Sequence, residues 1–264
     1  MQLDPSLPQG FVVIAAALFG AAIGSFLNVC ILRWGAEPKE SVVRPPSRCP
    51  GCGRALSWHE NIPMVSWLLL RGHCRGCRRP ISMQYPLVEL ATAVIWAAVA
   101  WRHGPSLETL RGSVFLTVLL GIAMTDARAY IIPDEFSFGG LALGLVLALV
   151  GGLDRFGVAL LGAAVGFGLL WLVAVAGSWA LKQDAMGGGD IKMMAMVGAF
   201  VGWQGVLLTV FLGALIGSLI FVPLALMGSK KLVPFGIFLA LGAAVTYFVG
   251  PAIFQWYAGF LVSA

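Results

Sequence analysis

Residues 156–181 read FGVALLGAAVGFGLLWLVAVAGSWAL, a run of 26 residues without a single charged side chain. A helix that crosses the hydrocarbon core of a membrane needs about 20 predominantly apolar residues. This run is long enough, and other stretches of the 264-residue chain are nearly as apolar. The sequence therefore predicts a polytopic membrane protein rather than a soluble core.

The composition supports the same interpretation. Hydrophobic residues make up 59% of the chain, charged residues 11%, and the mean hydropathy is +0.90, whereas a soluble domain carries roughly 25% charged residues. The first ten residues lack the basic segment of a cleaved signal peptide, and the first apolar run is long enough to span. The net charge of +5 does not indicate nucleic-acid binding, because basic residues of membrane proteins mark the cytoplasmic side.

The apolar runs predict the fold class, an all-α bundle of about eight transmembrane helices. They lie at residues 10–32, 86–101, 110–125, 136–152, 156–181, 191–201, 206–227 and 233–262. Run 191–201 is short for a span, and if it were re-entrant every later loop would change sides. We divide the chain into a first transmembrane helix (1–32), a polar loop (33–85) and a second transmembrane region (86–264).

Alternating these runs across a bilayer separates the basic residues into two unequal groups. One side receives fourteen, namely nine in residues 33–85 together with Arg128, Lys182, Lys192, Lys230 and Lys231. The other side receives three: Arg102, Arg111 and Arg155. An excess of Lys and Arg marks cytoplasmic loops, so we expect loop 33–85 to be cytoplasmic.

The polar loop contains two Cys-x-x-Cys pairs, Cys49 with Cys52 and Cys74 with Cys77, separated by a spacer of 21 residues. Two such pairs can hold a tetrahedral zinc ion. In the reducing cytoplasm disulfides are disfavoured, so the pattern favours zinc. Four thiolates leave no open coordination position, which indicates a structural zinc ion in a small cytoplasmic subdomain. Cys30, in the first helix, is expected to be an apolar filler.

Two acidic residues are expected near the cytoplasmic ends of helices. Asp126 directly follows the run 110–125, and Asp190 directly precedes the run 191–201. Carboxylates at membrane depth are costly and usually functional. Two that share a site cannot both ionise easily, so one can activate water while the other polarises a peptide carbonyl. This pattern is typical of a catalytic aspartate pair.

Structural alternatives remain open for these acidic residues. Asp190 could be a helix N-cap, and Asp126 could simply pair with Arg128 or Lys192. Asp134, after a proline, is expected to cap a helix start. Glu89 could pair in the interior or contact a substrate.

Several motifs together resemble one family, the type IV prepilin peptidases of bacterial pilus and type II secretion systems. They follow the family order from about residue 20 to 240 and include Gly24-Ser-Phe-Leu-Asn28, the two Cys-x-x-Cys pairs, Glu60-Asn-Ile-Pro63, Tyr85-Pro-Leu-Val-Glu89, Asp126 with Pro133-Asp134, Gly187-Gly-Gly-Asp190-Ile-Lys192 and Pro234-Phe-Gly236. One departure is Ile237, where many members have a second proline. Because it is far from both aspartates in sequence, it is not expected to affect the chemistry.

The resemblance implies that Asp126 and Asp190 are the catalytic pair of an inner-membrane aspartic peptidase. It implies cleavage of basic leader peptides from type IV prepilins and pseudopilins on the cytoplasmic side. It further implies N-methylation of the new N-terminus with S-adenosylmethionine, an activity associated with the loop region 33–85. The sequence contains no G-x-G-x-x-G motif that would locate the S-adenosylmethionine site.

Two other functions compete with this interpretation. The protein could be a peptidase without methyltransferase activity, or a non-enzymatic scaffold or transporter with a zinc-ribbon loop. Transport carboxylates usually lie near the bilayer midplane, whereas Asp126 and Asp190 are predicted at helix ends. Their placement favours proteolysis.

Overall fold

The computed structural model describes residues 8–184, 186–227 and 234–263, and its regular elements are helices. In chain order they are α1 (Gln9–Trp34), a short 3-10 helix (Trp58–Glu60), α2 (Val65–Leu69), α3 (Gln84–His103), α4 (Leu107–Ala129), α5 (Asp134–Val150), α6 (Leu153–Leu181), α7 (Gly188–Leu226) and α8 (Phe235–Ser263). No strand forms in these ranges; the loop before α3 contains only two isolated bridges, Arg48 with Ala55 and His73 with Pro80. The all-α prediction is confirmed.

Five of the helices, α1, α4, α6, α7 and α8, are long and apolar enough to cross a membrane. The other two long helices, α3 and α5, have 20 and 17 residues. The multi-pass architecture therefore agrees with the sequence, while the number of about eight spans stays a prediction. Lys230 and Lys231, which contribute to the predicted topology, lie outside the described residues.

Helix α7 joins two of the predicted runs, 191–201 and 206–227, across a break at Gly202. This glycine has φ 72° and ψ 176°, a conformation that glycine adopts without the steric cost of a Cβ. The part before the break, residues 188–201, is about 21 Å long at helical rise, shorter than a bilayer core of about 30 Å. A full span by residues 191–201 therefore stays a prediction.

The chain forms two compact units, Met1–Ser113 and Val114–Ala264, whose boundary lies within α4. The first contains the α1–α3 pair and the loop between these helices, and the second contains the packed helices α5 to α8. The division predicted from the sequence, at residues 32 and 85, stays a prediction.

In the first unit α1 and α3 are antiparallel. Gln9 donates a hydrogen bond to the Trp101 carbonyl near one end, and the buried Asn28 donates to the Tyr85 carbonyl near the other. Between them, a Cβ added at Gly24 would lie 2.8 Å from the Glu89 Cα. The end of α1 and the start of α3 are therefore at the same level, and the cysteine loop begins and ends there.

In the second unit glycines bring the backbones of α6 and α7 into contact. A Cβ added at Gly162 would overlap the Gly198 carbonyl, and one added at Gly198 would overlap the Gly162 carbonyl. A Cβ at Gly166 would likewise overlap the Met194 carbonyl. Small residues permit such close approach where apolar lipid supplies little hydrophobic driving force for association.

Gly162→Ala is expected to destabilise the second unit by about 1–3 kcal/mol, because the added methyl group has no space between the two backbones. Thermal unfolding of the detergent-purified protein measures the effect. Gly168→Ala is the matched control, since this glycine of the same helix has no neighbour within 4 Å of an added Cβ. An equal loss in both variants would contradict the packing argument.

Candidate active site and metal centre

Asp126 lies in the last turn of α4 and is 5% exposed. Its Oδ2 accepts a hydrogen bond of 3.1 Å from the backbone N–H of Ile237, in the first turn of α8. A Cβ added at the neighbouring Gly236 would lie 2.7 Å from the same oxygen. The absence of a side chain at residue 236 therefore lets the start of α8 approach the carboxylate.

Asp190 lies in the first turn of α7 and is partly buried. It lies close enough to Asp126 for the charges of the two predicted catalytic carboxylates to interact. The buried Oδ1 of Asp190 has no hydrogen-bond partner among the described residues. Because α7 already begins at Gly188, Asp190 is inside the helix, and the N-cap alternative does not hold.

Ile132, in the short connection between α4 and α5, fixes the backbone around both aspartates. A Cβ added at Gly189, next to Asp190, would lie 2.9 Å from the Ile132 Cβ. One added at Gly236 would lie 2.8 Å from the Ile132 Cδ1. One isoleucine therefore contacts the starts of both α7 and α8.

The alternative in which Lys192 pairs with Asp126 does not hold. The Lys192 Nζ donates to Asp134 Oδ1 at 2.8 Å and lies 5.5 Å from the centre of the Phe138 ring. Asp134 is the first residue of α5, so it holds the start of α5 next to the start of α7. This ion pair is partly exposed, and we assign it a positioning role.

The surroundings of the aspartate pair suit acid–base chemistry. Both carboxyl groups lie at helix ends, and the positive ends of the α7 and α8 dipoles attract negative charge there. The Ile237 N–H is a donor only, so the Asp126 carboxylate is the acceptor of this hydrogen bond. The unpartnered oxygen of Asp190 is available for a proton, a water molecule or a substrate carbonyl.

Sequence reasoning missed two contributors to this site, Ile132 and Ile237. The departure at residue 237, expected to be unimportant because of its distance in sequence, lies directly on Asp126. The signal that could have located it is the Pro234-Phe-Gly236 motif itself, since a glycine in the first turn of a helix permits close approach of a backbone N–H. A partner supplied by the backbone leaves no mark in the side-chain pattern.

Glu89 makes an interior contact, one of the two roles that the sequence left open. It is 7% exposed, and its Oε2 accepts a hydrogen bond of 2.6 Å from the Met64 backbone N–H. Met64 has φ 58°, which a non-glycine residue rarely adopts. Glu89 therefore anchors a tight turn of the loop, just before α2, onto α3.

The four loop cysteines form a cluster whose Sγ atoms all lie within 4.8 Å of one another. The Cys49 and Cys77 sulfurs are 3.8 Å apart, too far for a disulfide bond of about 2.05 Å. Tetrahedral zinc with Zn–S bonds of about 2.3 Å places its sulfurs about 3.8 Å apart. The donor set and the spacing therefore fit a closed four-thiolate zinc site.

The four thiols can be deprotonated together only when a bound metal cation offsets their mutual repulsion. Backbone N–H groups of Cys77 and Gly76 lower the pKa of Cys74 to about 6. The Arg79 N–H favours the Cys77 thiolate, but burial and the three other thiols outweigh it and raise the pKa of Cys77 to about 11. Four thiolates at this separation repel one another, and a divalent metal removes that repulsion.

An ion pair braces the polypeptide next to the cluster. Arg54 donates to Glu60 Oε1 at 2.6 Å, and the Ser57 N–H donates to Glu60 Oε2 at 3.0 Å. The Arg54 hydrogen bond lowers the pKa of Glu60 to about 2, so the carboxylate stays charged at neutral pH. Its two oxygens are thus engaged within the loop.

Two family models match the chain. One describes the bacterial peptidase A24 N-terminal domain and matches residues 18–103. The other describes the type IV leader peptidase family and matches residues 113–222.

Curated relatives match most of the chain. The chain is 36% identical over 269 residues to a protein of Aeromonas hydrophila, covering 91% of both. It is 36% identical over 236 residues to one of Neisseria gonorrhoeae, covering 81% of this chain and 82% of the relative. It is 41% identical over 218 residues to one of Myxococcus xanthus, covering 81% of this chain but only 64% of that longer relative. All three are named prepilin leader peptidase/N-methyltransferase. No solved structure matches the chain.

We expect one zinc ion per chain, measured by metal analysis of the purified protein. Cys74→Ser is expected to lose most of the zinc, because a serine hydroxyl is not a thiolate ligand at neutral pH. Cys30→Ser is the matched control and is expected to retain the metal, since this buried thiol lies in α1 outside the cluster. Zinc-free protein with four freely reactive loop thiols would contradict the assignment.

Proposed function

Because the chain belongs to the type IV leader peptidase family, we propose that it cleaves the leader peptides of type IV prepilins and pseudopilins with Asp126 and Asp190. The observation that carries this proposal is that the two carboxyl groups, 64 positions apart in sequence, lie near enough for their charges to interact, around the shared neighbour Ile132. Their hydrogen bonding supports it, since Asp126 accepts from the Ile237 N–H while Asp190 Oδ1 has no partner among the described residues.

In the proposed reaction one aspartate is ionised and the other carries a proton. Asp126, which accepts from Ile237, takes a proton from a water molecule. Asp190 donates its proton toward the oxygen of the scissile carbonyl as the water attacks the carbon. When the tetrahedral intermediate breaks its C–N bond, the departing amine receives a proton from the pair. The products are the leader with a new carboxyl group and the mature chain with a new amino group.

The membrane fold supports this substrate class. A prepilin carries a basic leader before an apolar helix, so it is expected to insert with the leader in the cytoplasm. We propose that this protein lies in the bacterial inner membrane with its cysteine loop and aspartates on the cytoplasmic side. The scissile bond, at the junction of leader and helix, would then reach the helix ends where Asp126 and Asp190 lie.

We also propose that the protein methylates the new N-terminal amine with S-adenosylmethionine, as the names of its relatives indicate for them. S-Adenosylmethionine supplies an electrophilic methyl group, and the uncharged terminal amine is the nucleophile. We assign no residue of this chain to the methyl donor. The zinc site, closed by four cysteines, has a structural role in this proposal.

A transporter function receives less support from the geometry. Asp126 is in the last turn of α4, and Asp190 is in the first turn of α7. Carboxylates that bind transported ions usually lie near the middle of the membrane. Placement at helix ends instead suits a peptide bond near the membrane surface.

Asp126→Asn and Asp190→Asn are each expected to lower the cleavage rate at least about a hundredfold, because an amide cannot act as a general acid or base at neutral pH. Detergent-purified protein is incubated with a prepilin and S-adenosylmethionine, and mass spectrometry identifies the new N-terminus. One additional methyl group that depends on S-adenosylmethionine reports the second activity.

Asp184→Asn, the same chemical change at an exposed loop aspartate, is the matched control and should cleave normally. Undiminished cleavage by either dyad variant would overturn the proposed pair. Cleavage without methylation would indicate a peptidase without methyltransferase activity.

Ile237→Pro is expected to slow cleavage about tenfold, since proline lacks the N–H that contacts Asp126 and a hydrogen bond to a charged group contributes about 1.5–3 kcal/mol. Proline is tolerated in the first turn of a helix, so folding should be retained. Ile237→Val keeps the N–H and should match the wild-type rate. Equal rates for the proline and valine variants would show that this donor does not assist catalysis.

A further inference from the structure

A cavity of about 370 Å³ opens beside the cysteine cluster, in the loop between α1 and α3. Its lining includes Arg71, Arg75 and Arg78, with Leu69 and Leu70 as apolar neighbours. Neither the aspartate pair nor the zinc site requires these arginines. Their convergence on one cavity raises the question of what they bind.

The charge of the cavity favours an anion. Within the described part of the chain, none of the three guanidinium groups makes a hydrogen bond or ion pair. The lining also contains Glu60, but Arg54 and the Ser57 N–H already engage both of its oxygens. Guanidinium groups match phosphate and carboxylate oxygens with paired N–H donors. A sulfonium methyl donor, which has a net positive charge, is a poor match for this cavity.

Arg78 occupies a backbone position that suits glycine better than arginine. The two cysteine turns are equivalent: Gly53 N–H donates to the Cys49 carbonyl, and Arg78 N–H donates to the Cys74 carbonyl. The first turn has glycine at the position of positive φ (Gly53, 71°), whereas the second has an arginine (Arg78, 61°). Arg71 also has a positive φ, 52°. Glycine would fit without strain, and strained residues concentrate at functional sites.

Within the first unit, the cavity lies near the level at which α1 ends and α3 begins. Trp67 of α2 donates to the Ile81 carbonyl at 3.2 Å, and Ile81 is three residues before α3. The Met64 N–H bonds to Glu89 within α3. These bonds hold α2 against the first turns of α3, level with the end of α1, which is one of the five candidate spans.

Next to the arginines, large apolar side chains are exposed. Trp58 is 81% exposed, Leu68 65% and Leu69 78%. A tryptophan beside exposed leucines is typical of a membrane interface, where the ring lies among the headgroups. Apolar side chains and a basic cavity at one level match the two parts of an anionic phospholipid.

We propose that this cavity binds the phosphate of an anionic phospholipid through Arg71, Arg75 and Arg78. Leu68, Leu69 and Trp58 lie against the acyl chains of the same leaflet. The site fixes the cysteine loop to the bilayer surface. It is distinct from leader cleavage, and its test does not depend on enzymatic activity.

The test uses the full chain in detergent, titrated with phosphatidylglycerol, with bound lipid counted by native mass spectrometry. Phosphatidylcholine is the comparison lipid, and soluble glycerol phosphate is added as a competitor. Arg78→Gly and Arg71→Gly are expected to weaken phosphatidylglycerol binding about tenfold each while keeping zinc and thermal stability, because glycine relieves the strained backbone. Arg48→Ala, an exposed arginine outside the cavity, is the matched control and should bind normally.

Leu69→Gln separates a lipid from a soluble anion. Leu69 is exposed, and its replacement is expected to weaken phosphatidylglycerol binding, while glycerol phosphate competes little. These two results together support a lipid that is bound through both its headgroup and its acyl chains. Full displacement by glycerol phosphate without any effect of Leu69→Gln would overturn the lipid assignment in favour of a small anion. Equal affinities for Arg78→Gly, Arg48→Ala and the wild type would overturn the site itself.

Discussion

A carboxyl group at the edge of a hydrocarbon layer needs polar neighbours, and in a helical membrane protein the backbone supplies them only where helices begin or end. Asp126 and Asp190 satisfy this condition in complementary ways. Asp126 closes α4 and receives an N–H from the start of α8, while Asp190 opens α7. The arrangement of α4, α7 and α8 therefore follows from the requirement to place two acidic groups together. The glycines at 189 and 236 and the wedge formed by Ile132 are the packing consequences of that requirement.

The cysteine loop solves a different problem. Apart from the short 3-10 helix and α2, it has no regular helix between Trp34 and Gln84, and its segment is too polar to form a hydrophobic core. Local bonds hold it instead: the thiol cluster, the Arg54–Glu60 pair and the attachment of Met64 to Glu89. Each of these contacts is polar or metal-directed. Such a loop can keep its shape at a membrane surface, where burial of apolar side chains against the protein competes with their burial in lipid.

The sequence predicted the helical fold and the cluster of four cysteines, because both depend on residue type and spacing. A run as long and apolar as 156–181 is not expected in a soluble protein. Each Cys-x-x-Cys pair needs only a local turn to bring its two thiols together. The contacts of individual side chains were harder to predict. Lys192 could have met Asp126, yet it pairs with Asp134, because the choice depends on how α5 and α7 approach each other. The break in α7 at Gly202 lies where the pattern separates runs 191–201 and 206–227, but its backbone angles could not be read from the sequence. Catalytic use of the aspartates stays a proposal drawn from their proximity and the family.

The hydrogen bond from Ile237 to Asp126 has a consequence for how such proteins diverge. Its donor is an atom that every amino acid except proline possesses. Residue 237 can therefore exchange one side chain for another through evolution while the electrostatic environment of Asp126 is unchanged. What matters at residue 237 is only whether it is proline. Family members with a proline there lack this N–H donor, so another group must stabilise the same carboxylate.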